Sequence, residues 1–406
     1  MSFPFSDSRG KRLSLRVRAL TVACLITLGL SAAAPAPNAH ISVPFELVNN
    51  HVYLEVVLNG KGPYHFVFDS GGSNMIDPAV AADLGVTVGK RRRIVGVGNT
   101  SEASGATFVE HVGIGEIGLE QQNFIVAQTR ATIGPAEGLP IDGLVGRELL
   151  ERFVVTVDYA RRELRLKEPS ASDEPPSGGT TLPLDIDEGL PHVPCQIARV
   201  SGRCTVDTGS RLSLSVLRPF AALHPDVAPK HLSAVGIDGF GFGGAAYGRL
   251  GRVADLRFGN LVIHDSIADF STQRAGAFDD PKVAANVGGG VWRRFTLTFE
   301  YARKRLTLEP NADFARPDAF DRSGLFLTAE AGGVHVVGVR PGTPALEAGL
   351  SSGERLISID GQPISAEDLG RVRERLFGLP GASVRLGVQS ADGTQREVTL
   401  VLRDYV

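Results

Sequence analysis

Two short runs in this 406-residue chain could do acid–base chemistry together: Phe66-Val67-Phe68-Asp69-Ser70-Gly71-Gly72 and Cys204-Thr205-Val206-Asp207-Thr208-Gly209-Ser210. Each is an apolar, β-prone stretch that ends in a carboxylate, a hydroxyl and a glycine, the pattern of a strand stopping at a tight turn. If the two turns face each other, Asp69 and Asp207 cannot both ionise cheaply. They would share one proton and act as acid and base together. A single Asp-(Ser/Thr)-Gly reads as an ordinary Asx-type turn after a strand. The pair rises above that reading because its surroundings repeat in order: His51-Val52 with His192-Val193, Val95-Gly96-Val97 with Val235-Gly236-Ile237, and FVVTVDYARRELRL from Phe153 with FTLTFEYARKRLTL from Phe295. Such ordered self-similarity is an internal duplication.

These residues resemble the aspartic peptidases of the pepsin and retropepsin type, over roughly Ile41 to Pro310. The resemblance extends to a second motif, two apolar residues and a glycine after the flap. Asp142-Gly143-Leu144-Val145-Gly146 fits it, whereas Asn286-Val287-Gly288 places Asn where an apolar residue is usual, and Gly72 stands where Ala or Ser is usual. The resemblance implies a mainly β fold of two homologous acid-protease lobes, with Asp69 and Asp207 catalytic. Ser70 and Thr208 would brace the loops, and Gly71 and Gly209 would permit their tight path. It also implies that Val95, Gly96, Val97 and Gly98 form a flap over the substrate cleft, with Tyr247 on the opposite hairpin lining that cleft. No tyrosine lies in the first flap, which is closer to retropepsins.

The strands that must deliver the first carboxylate are Val52 to Leu58 and Tyr64 to Phe68, joined by the hairpin signal Asn59-Gly60-Lys61-Gly62. Pro78 to Leu84 reads as a short helix. Lobe one spans 41–167, a Pro/Ser/Gly-rich linker 168–181, and lobe two 182–308. In lobe two, His192 to Val200 and Arg203 to Val206 form the corresponding hairpin. A turn at Ser201-Gly202 would offset Cys195 from Cys204 by about 13 Å, too far for a bridge unless the register shifts. Gly239-Phe240-Gly241-Phe242-Gly243-Gly244 matches G-x-G-x-x-G, but no βαβ context follows, so it reads as the second lobe's hairpin rather than a dinucleotide site.

Residues 309–322 form a second polar linker, and 323–406 change character. Gly324-Leu325-Phe326-Leu327, Val334 to Val339, Pro344 to Leu350 and Gly353 to Gly361 resemble a bacterial-type PDZ domain, a small α+β unit. Ser365 and Asp368 can box the start of a helix from Ala366 to Phe377. The resemblance implies a peptide groove with Gly324, Leu325, Phe326, Leu369 and Val372 as wall candidates, taking a peptide or protein C-terminus as an added strand. Leu369 and Val372 read equally well as core.

Residues 1–34 carry basic residues, a short apolar run from Ala19 to Leu30 and small residues Ser31 to Ala34, the pattern of a secretory signal peptide. The expected location is therefore periplasmic or extracellular, with Cys24 removed along with the signal. An uncleaved signal would anchor the protein in the membrane. The formal net charge of −3, with mixed signs, gives no nucleic-acid footprint. No metal-ligand spacing is present, so no metal or cofactor is expected. With both lobes in one chain, a monomeric endopeptidase acting on peptides or unfolded proteins is expected. The competing expectation is an inert two-lobed peptide binder that uses the PDZ domain as a tether, favoured by Gly72 and Asn286.

Overall fold

The structure, a computed structural model, describes residues 40–90, 92–170 and 174–406. The signal-peptide reading of residues 1–34 lies outside the described residues. From His40 onward the protein is mainly β, built of two like lobes and a PDZ domain.

Lobe one is an eight-stranded sheet in the order Glu46–Val48, His51–Leu58, Lys61–Asp69, Gly143–Gly146, Met75–Ile76, Ile117–Val126, Ser101–Ile114, Arg92–Val95. Lobe two repeats this order with Asp185–Asp187, Leu190–Ile197, Val200–Val206, Ala285–Val287, Leu214–Val216, Leu261–Ser271, Gly244–Phe258, Gly236–Gly241. Alternation of apolar and polar residues drives both sheets: Val52, Leu54, Val56 and Leu58 are all buried on one strand. The turn between His51–Leu58 and Lys61–Asp69 is made by Asn59 and Gly60, both at positive φ, which suits an Asn-Gly hairpin. The helix Pro78–Leu84 starts under the side chain of Asp77, which accepts from Ala79 N, and stops at left-handed Gly85.

A third sheet joins the lobes: Ile41–Pro44, Glu163–Lys167, Val154–Asp158, Phe295–Glu300, Arg305–Pro310, Thr180–Pro183. The longest repeated segments meet at its centre. Val155 pairs with Phe299 and Val157 with Leu297, and the Thr156 and Thr298 hydroxyls touch at 3.1 Å on the pseudo-twofold axis. Thr180 and Thr181 belong to this sheet rather than to a free linker.

Residues 309–322 are likewise a packed strap. Buried Asp318 accepts from Arg294 Nη2 at 2.6 Å, Ile267 N at 2.8 Å and Ser213 Oγ at 3.0 Å, and Phe314 packs on Phe295. A few anchors in an otherwise polar segment suffice, which is why composition alone suggested a linker.

Two of the sequence matches prove to be out of structural register. Glu46 pairs with Tyr53 and Asp185 with His192, so Tyr53 is the counterpart of His192, and His51 sits two positions earlier, opposite Val48. Val95 ends its strand near the hairpin tip, whereas Gly236 begins one at the hairpin's base.

The Cys195–Cys204 disulfide is present. The turn lies at Ala198-Arg199, with Ala198 at φ 52°, so Cys195 pairs with Gly202 and comes within 5.9 Å (Cα–Cα) of Cys204. The strand turns earlier than Ser201-Gly202 suggested, and that shift removes the predicted offset.

In the PDZ domain the strands run in the order Leu325–Glu330, Gly333–Val339, Arg355–Ile359, Ser383–Gln389, Gln395–Val401, with the helix Leu369–Leu376 closing the core. The capping box of Ser365 and Asp368 forms, leading through one 3-10 turn into that helix.

Candidate active site

Each Asp loop is delivered by the second strand of a hairpin and pinned by a parallel neighbour: Asp69 lies opposite Gly146, and Val206 opposite Val287. Trp292, fully buried, fixes the second neighbour by donating Nε1–H to Val287 O at 2.6 Å. The loops are then laced to each other. Ser70 N donates to Thr208 Oγ1 (2.9 Å), Thr208 N to Ser70 Oγ (3.0 Å), Ser70 Oγ to Val206 O (2.7 Å) and Thr208 Oγ1 to Phe68 O (2.8 Å). Both hydroxyls are fully buried, so these four reciprocal bonds act in a low-dielectric interior where an unmade bond is costly.

This lacing brings the carboxyls of Asp69 and Asp207 into mutual hydrogen-bonding contact. Asp69 Oδ1 also accepts from Gly71 N at 2.8 Å, and Asp207 Oδ1 from Gly209 N at 2.9 Å. The approach requires bare glycines. A Cβ on Gly209 would stand 2.5 Å from Asp69 Oδ1, and one on Gly71 would stand 3.0 Å from Asp207 Oδ1. Gly72 is equally constrained, since a Cβ there would lie 2.5 Å from Asp69 Oδ2. Its departure from Ala or Ser thus fits the local geometry.

Burial raises the proton affinity of both acids, but unequally. Asp69 is pushed well above the usual carboxylate range by burial and then by the charge of Asp207. Asp207 is raised by burial but opposed by the Asn286 amide, which donates to Oδ2 at 2.8 Å. A donor to the ionised form favours ionisation, so the Asn286 amide makes Asp207 the more readily ionised of the two. Asn286 therefore belongs to the site. The sequence offered a signal in the lone amide of an otherwise apolar run, but that signal read only as a departure from pattern.

The hairpin residues fall in several places. Gly98 N donates to Phe242 O (3.1 Å), Thr100 N to Gly243 O (3.2 Å), and Gly243 N to Glu102 Oε1 (2.9 Å), so the two hairpins meet tip to tip. Gln273 Nε2 clamps both, donating to Val97 O (2.9 Å) and Ala245 O (3.1 Å). Phe242 is buried among Met75, Ile94, Ala127 and Leu144 of lobe one, and Val97 packs against Leu217, Ala246 and Phe278 of lobe two. Val95 points to solvent, 64% exposed. Tyr247 does not join the cleft; it borders a cavity of about 590 Å³ between lobe two and the PDZ domain, with Ile237, Phe320 and Phe326. The register of its strand turns the side chain away.

Among the PDZ wall candidates, Leu369 and Val372 are wholly buried and pack with Leu325 in that domain's core, and Leu369 also meets lobe one, where a Cβ on Gly138 would stand 3.1 Å from its side chain. Gly324, at φ 84°, leads into Leu325, while Phe326 turns outward, 5.4 Å from Phe240 of lobe two and beneath the guanidinium of Arg211 at 5.2 Å.

Residues 54–149 match the aspartyl protease family and residues 335–390 the PDZ domain family. The magnetosome formation protease MamE of Paramagnetospirillum magneticum (strain AMB-1) is 43% identical over 70 residues, which are 17% of this chain and 9% of that protein. The chain thus matches only a small part of that relative's length. The crystal structure of the aspartic proteinase from Irpex lacteus superposes on 68% of this chain and 99% of its own, with a TM-score of 0.43 at 13% identity. The chain therefore carries an aspartyl protease domain and a PDZ domain in one polypeptide.

Proposed function

We propose that this protein is an exported aspartic endopeptidase. The observation that carries the reading is the pair of carboxyls held in contact by reciprocal loop bonds, with an asymmetry that favours ionisation of Asp207 over Asp69. A water between them would lose a proton to Asp207 as it attacks the peptide carbonyl. Asp69 would give its proton to the carbonyl oxygen; as the C–N bond breaks, the proton on Asp207 would pass to the leaving amine and a hydroxyl of the tetrahedral intermediate would return a proton to Asp69, restoring the starting dyad. The two hairpins must part to admit a peptide and close again to exclude water. Export rests on the pattern of residues 1–34, and the Cys195–Cys204 disulfide supports an oxidising compartment.

Hydrolysis of a denatured protein mixture, followed over roughly pH 3 to 8, tests the reading. Cleavage that survives Asp69→Asn or Asp207→Asn, or no cleavage by the wild type at any pH, overturns it.

One feature favours the second reading, an inert peptide binder. The hairpin tips are bonded to each other, with Phe242 filling lobe one's apolar cluster. If that reading holds, Phe242→Ala will bind unfolded peptide more readily than wild type and still cleave nothing.

A further inference from the structure

The edge strand Leu325–Glu330 and the helix Leu369–Leu376 flank the groove in which a PDZ domain takes a peptide as an added strand. In this protein that groove is already covered from within. Lobe one's short helix Gly134–Glu137 lies against the edge strand. Gly138, at φ 73°, approaches Leu369 so closely that a Cβ there would be 3.1 Å from its side chain. Arg373 of the PDZ helix is 9% exposed, and its Nη2 donates both to Leu327 O of the edge strand at 2.9 Å and to Ala136 O of lobe one. At the end of the groove, Asp321 Oδ1 accepts from the backbone N–H groups of Ser323 (2.9 Å) and Gly324 (2.6 Å).

The same segment reaches the second Asp loop. Glu137, 5% exposed, accepts from Asn49 Nδ2 at 3.1 Å, stands 3.3 Å from His51 Nδ1 and 3.5 Å from Arg211 Nη1. His51 is also buried and donates its other nitrogen, Nε2, to Gly209 O at 2.9 Å, while Gly209 N holds Asp207 Oδ1. Arg211, two residues beyond Gly209, donates to Ala136 O at 3.2 Å and lies over the Phe326 ring of the PDZ domain. A continuous set of buried polar contacts thus runs from Arg373 through Ala136 and Glu137 to His51, Gly209 and Asp207.

We propose that Glu137 is a positioning residue for the second Asp loop, and that the PDZ domain completes its site through Arg373 by taking Gly134–Gly138 as the internal occupant of its groove. The proposal rests on reading the dyad as catalytic. A buried carboxylate persists only while its partners surround it. Withdrawing Arg373, by mutation or by a peptide that displaces Gly134–Gly138 from the groove, loosens Glu137. His51 then loses its orienting partner, and Gly209 O loses a fixed donor. The PDZ domain would in this way set the geometry of Asp207 rather than act only as a tether.

The test uses the full chain carrying Glu137→Gln, Arg373→Met, Arg373→Lys or the double change Glu137→Gln/Arg373→Met, each first checked for cooperative melting. Two readouts are taken: backbone hydrogen exchange over residues 206–212, and kcat and KM on an internally quenched peptide. Each of Glu137→Gln and Arg373→Met is expected to speed exchange about tenfold and lower kcat by about tenfold, with KM within about twofold. The double variant should be no worse than either single one, because a linked set broken twice loses little more. Arg373→Lys should recover part of both. Exchange and kcat within about twofold of wild type in a folded variant, or single effects that multiply, overturn the proposal. If Glu137→Gln fails to fold, the two Arg373 variants decide. If the wild type does not turn over, the peptidase reading fails, and the exchange arm still judges the relay.

Discussion

The two lobes use the same eight strands in the same order, yet they hold their carboxyls in different company. Beside the first loop the neighbouring strand presents Leu144, at the place where the second lobe presents Asn286. Where the first loop continues with Gly72, the second continues with Ser210. His51 reaches across to Gly209 O, whereas the residue at its equivalent place in lobe two is Leu190. A duplicated backbone supplies two equal acids, and the surrounding side chains then make them unequal. Burial and its charged neighbour raise the proton affinity of Asp69, and Asp207 is eased toward the ionised form by an amide. The difference teaches that division of labour within a symmetric frame needs only a few substitutions beside the reacting groups.

The comparison breaks most completely when either acid is neutralised. Asp69→Asn and Asp207→Asn should each lower kcat by about 10³-fold or more. Stability should move the other way. A carboxyl raised in the folded state contributes stability at low pH that is lost as pH rises through its folded value, so removing Asp69 should raise Tm at pH 7 and change it little at low pH. Calorimetry at both pH values checks the sign.

A methyl on Gly72 should cost up to about a hundredfold in kcat by pushing the Asp69 carboxyl aside, whereas Ser210→Ala should stay within about twofold. Equal effects on the two would remove the asymmetry claimed for the loops. Asn286→Leu makes the second lobe resemble the first. Loss of a hydrogen bond to a charged group is worth about 1.5–3 kcal/mol, so Asp207 should protonate about one pH unit higher or more, carrying the acid limb of the kcat/KM profile upward. An unmoved limb would sink the assignment of Asp207 as the ionised member.

One effect falls outside the dyad and is read in stability alone. Burial alone would raise Glu137, but the positive neighbours His51, Arg211 and Arg373 outweigh it and hold the carboxyl at about 2, against an ordinary 4.5. The stability this confers is present above the ordinary value and is lost as pH falls toward 2. Wild type should therefore lose on the order of 3 kcal/mol across that window relative to Glu137→Gln. Parallel melting curves of the two proteins over that range would contradict it.

Much of this architecture was legible in the residues. The doubled Asp-(Ser/Thr)-Gly turns and the FVVTVDY and FTLTFEY segments point to two related lobes, and the segments meet at the centre of the shared sheet. The shorter matches misled because a dipeptide such as His-Val carries no register. Only the ladder shows that Tyr53, not His51, answers His192. The disulfide was hidden by a turn closing at Ala198, an uncommon residue for positive φ. Glu137 left no trace in the sequence at all. It lies in an unremarked Gly-Pro-Ala-Glu-Gly stretch, and its partners His51, Arg211 and Arg373 are far away along the chain.

The sheet that crosses the axis between Val154–Asp158 and Phe295–Glu300 has a further consequence. Each half on its own would expose a long bare strand whose hydrogen-bonding edge is complementary to a copy of itself. Expressed alone, residues 40–170 should therefore recover their partner surface by pairing two identical halves around a true twofold, a homodimer visible by sedimentation. In the intact chain that edge is permanently satisfied, and assembly of the reactive centre no longer depends on protein concentration.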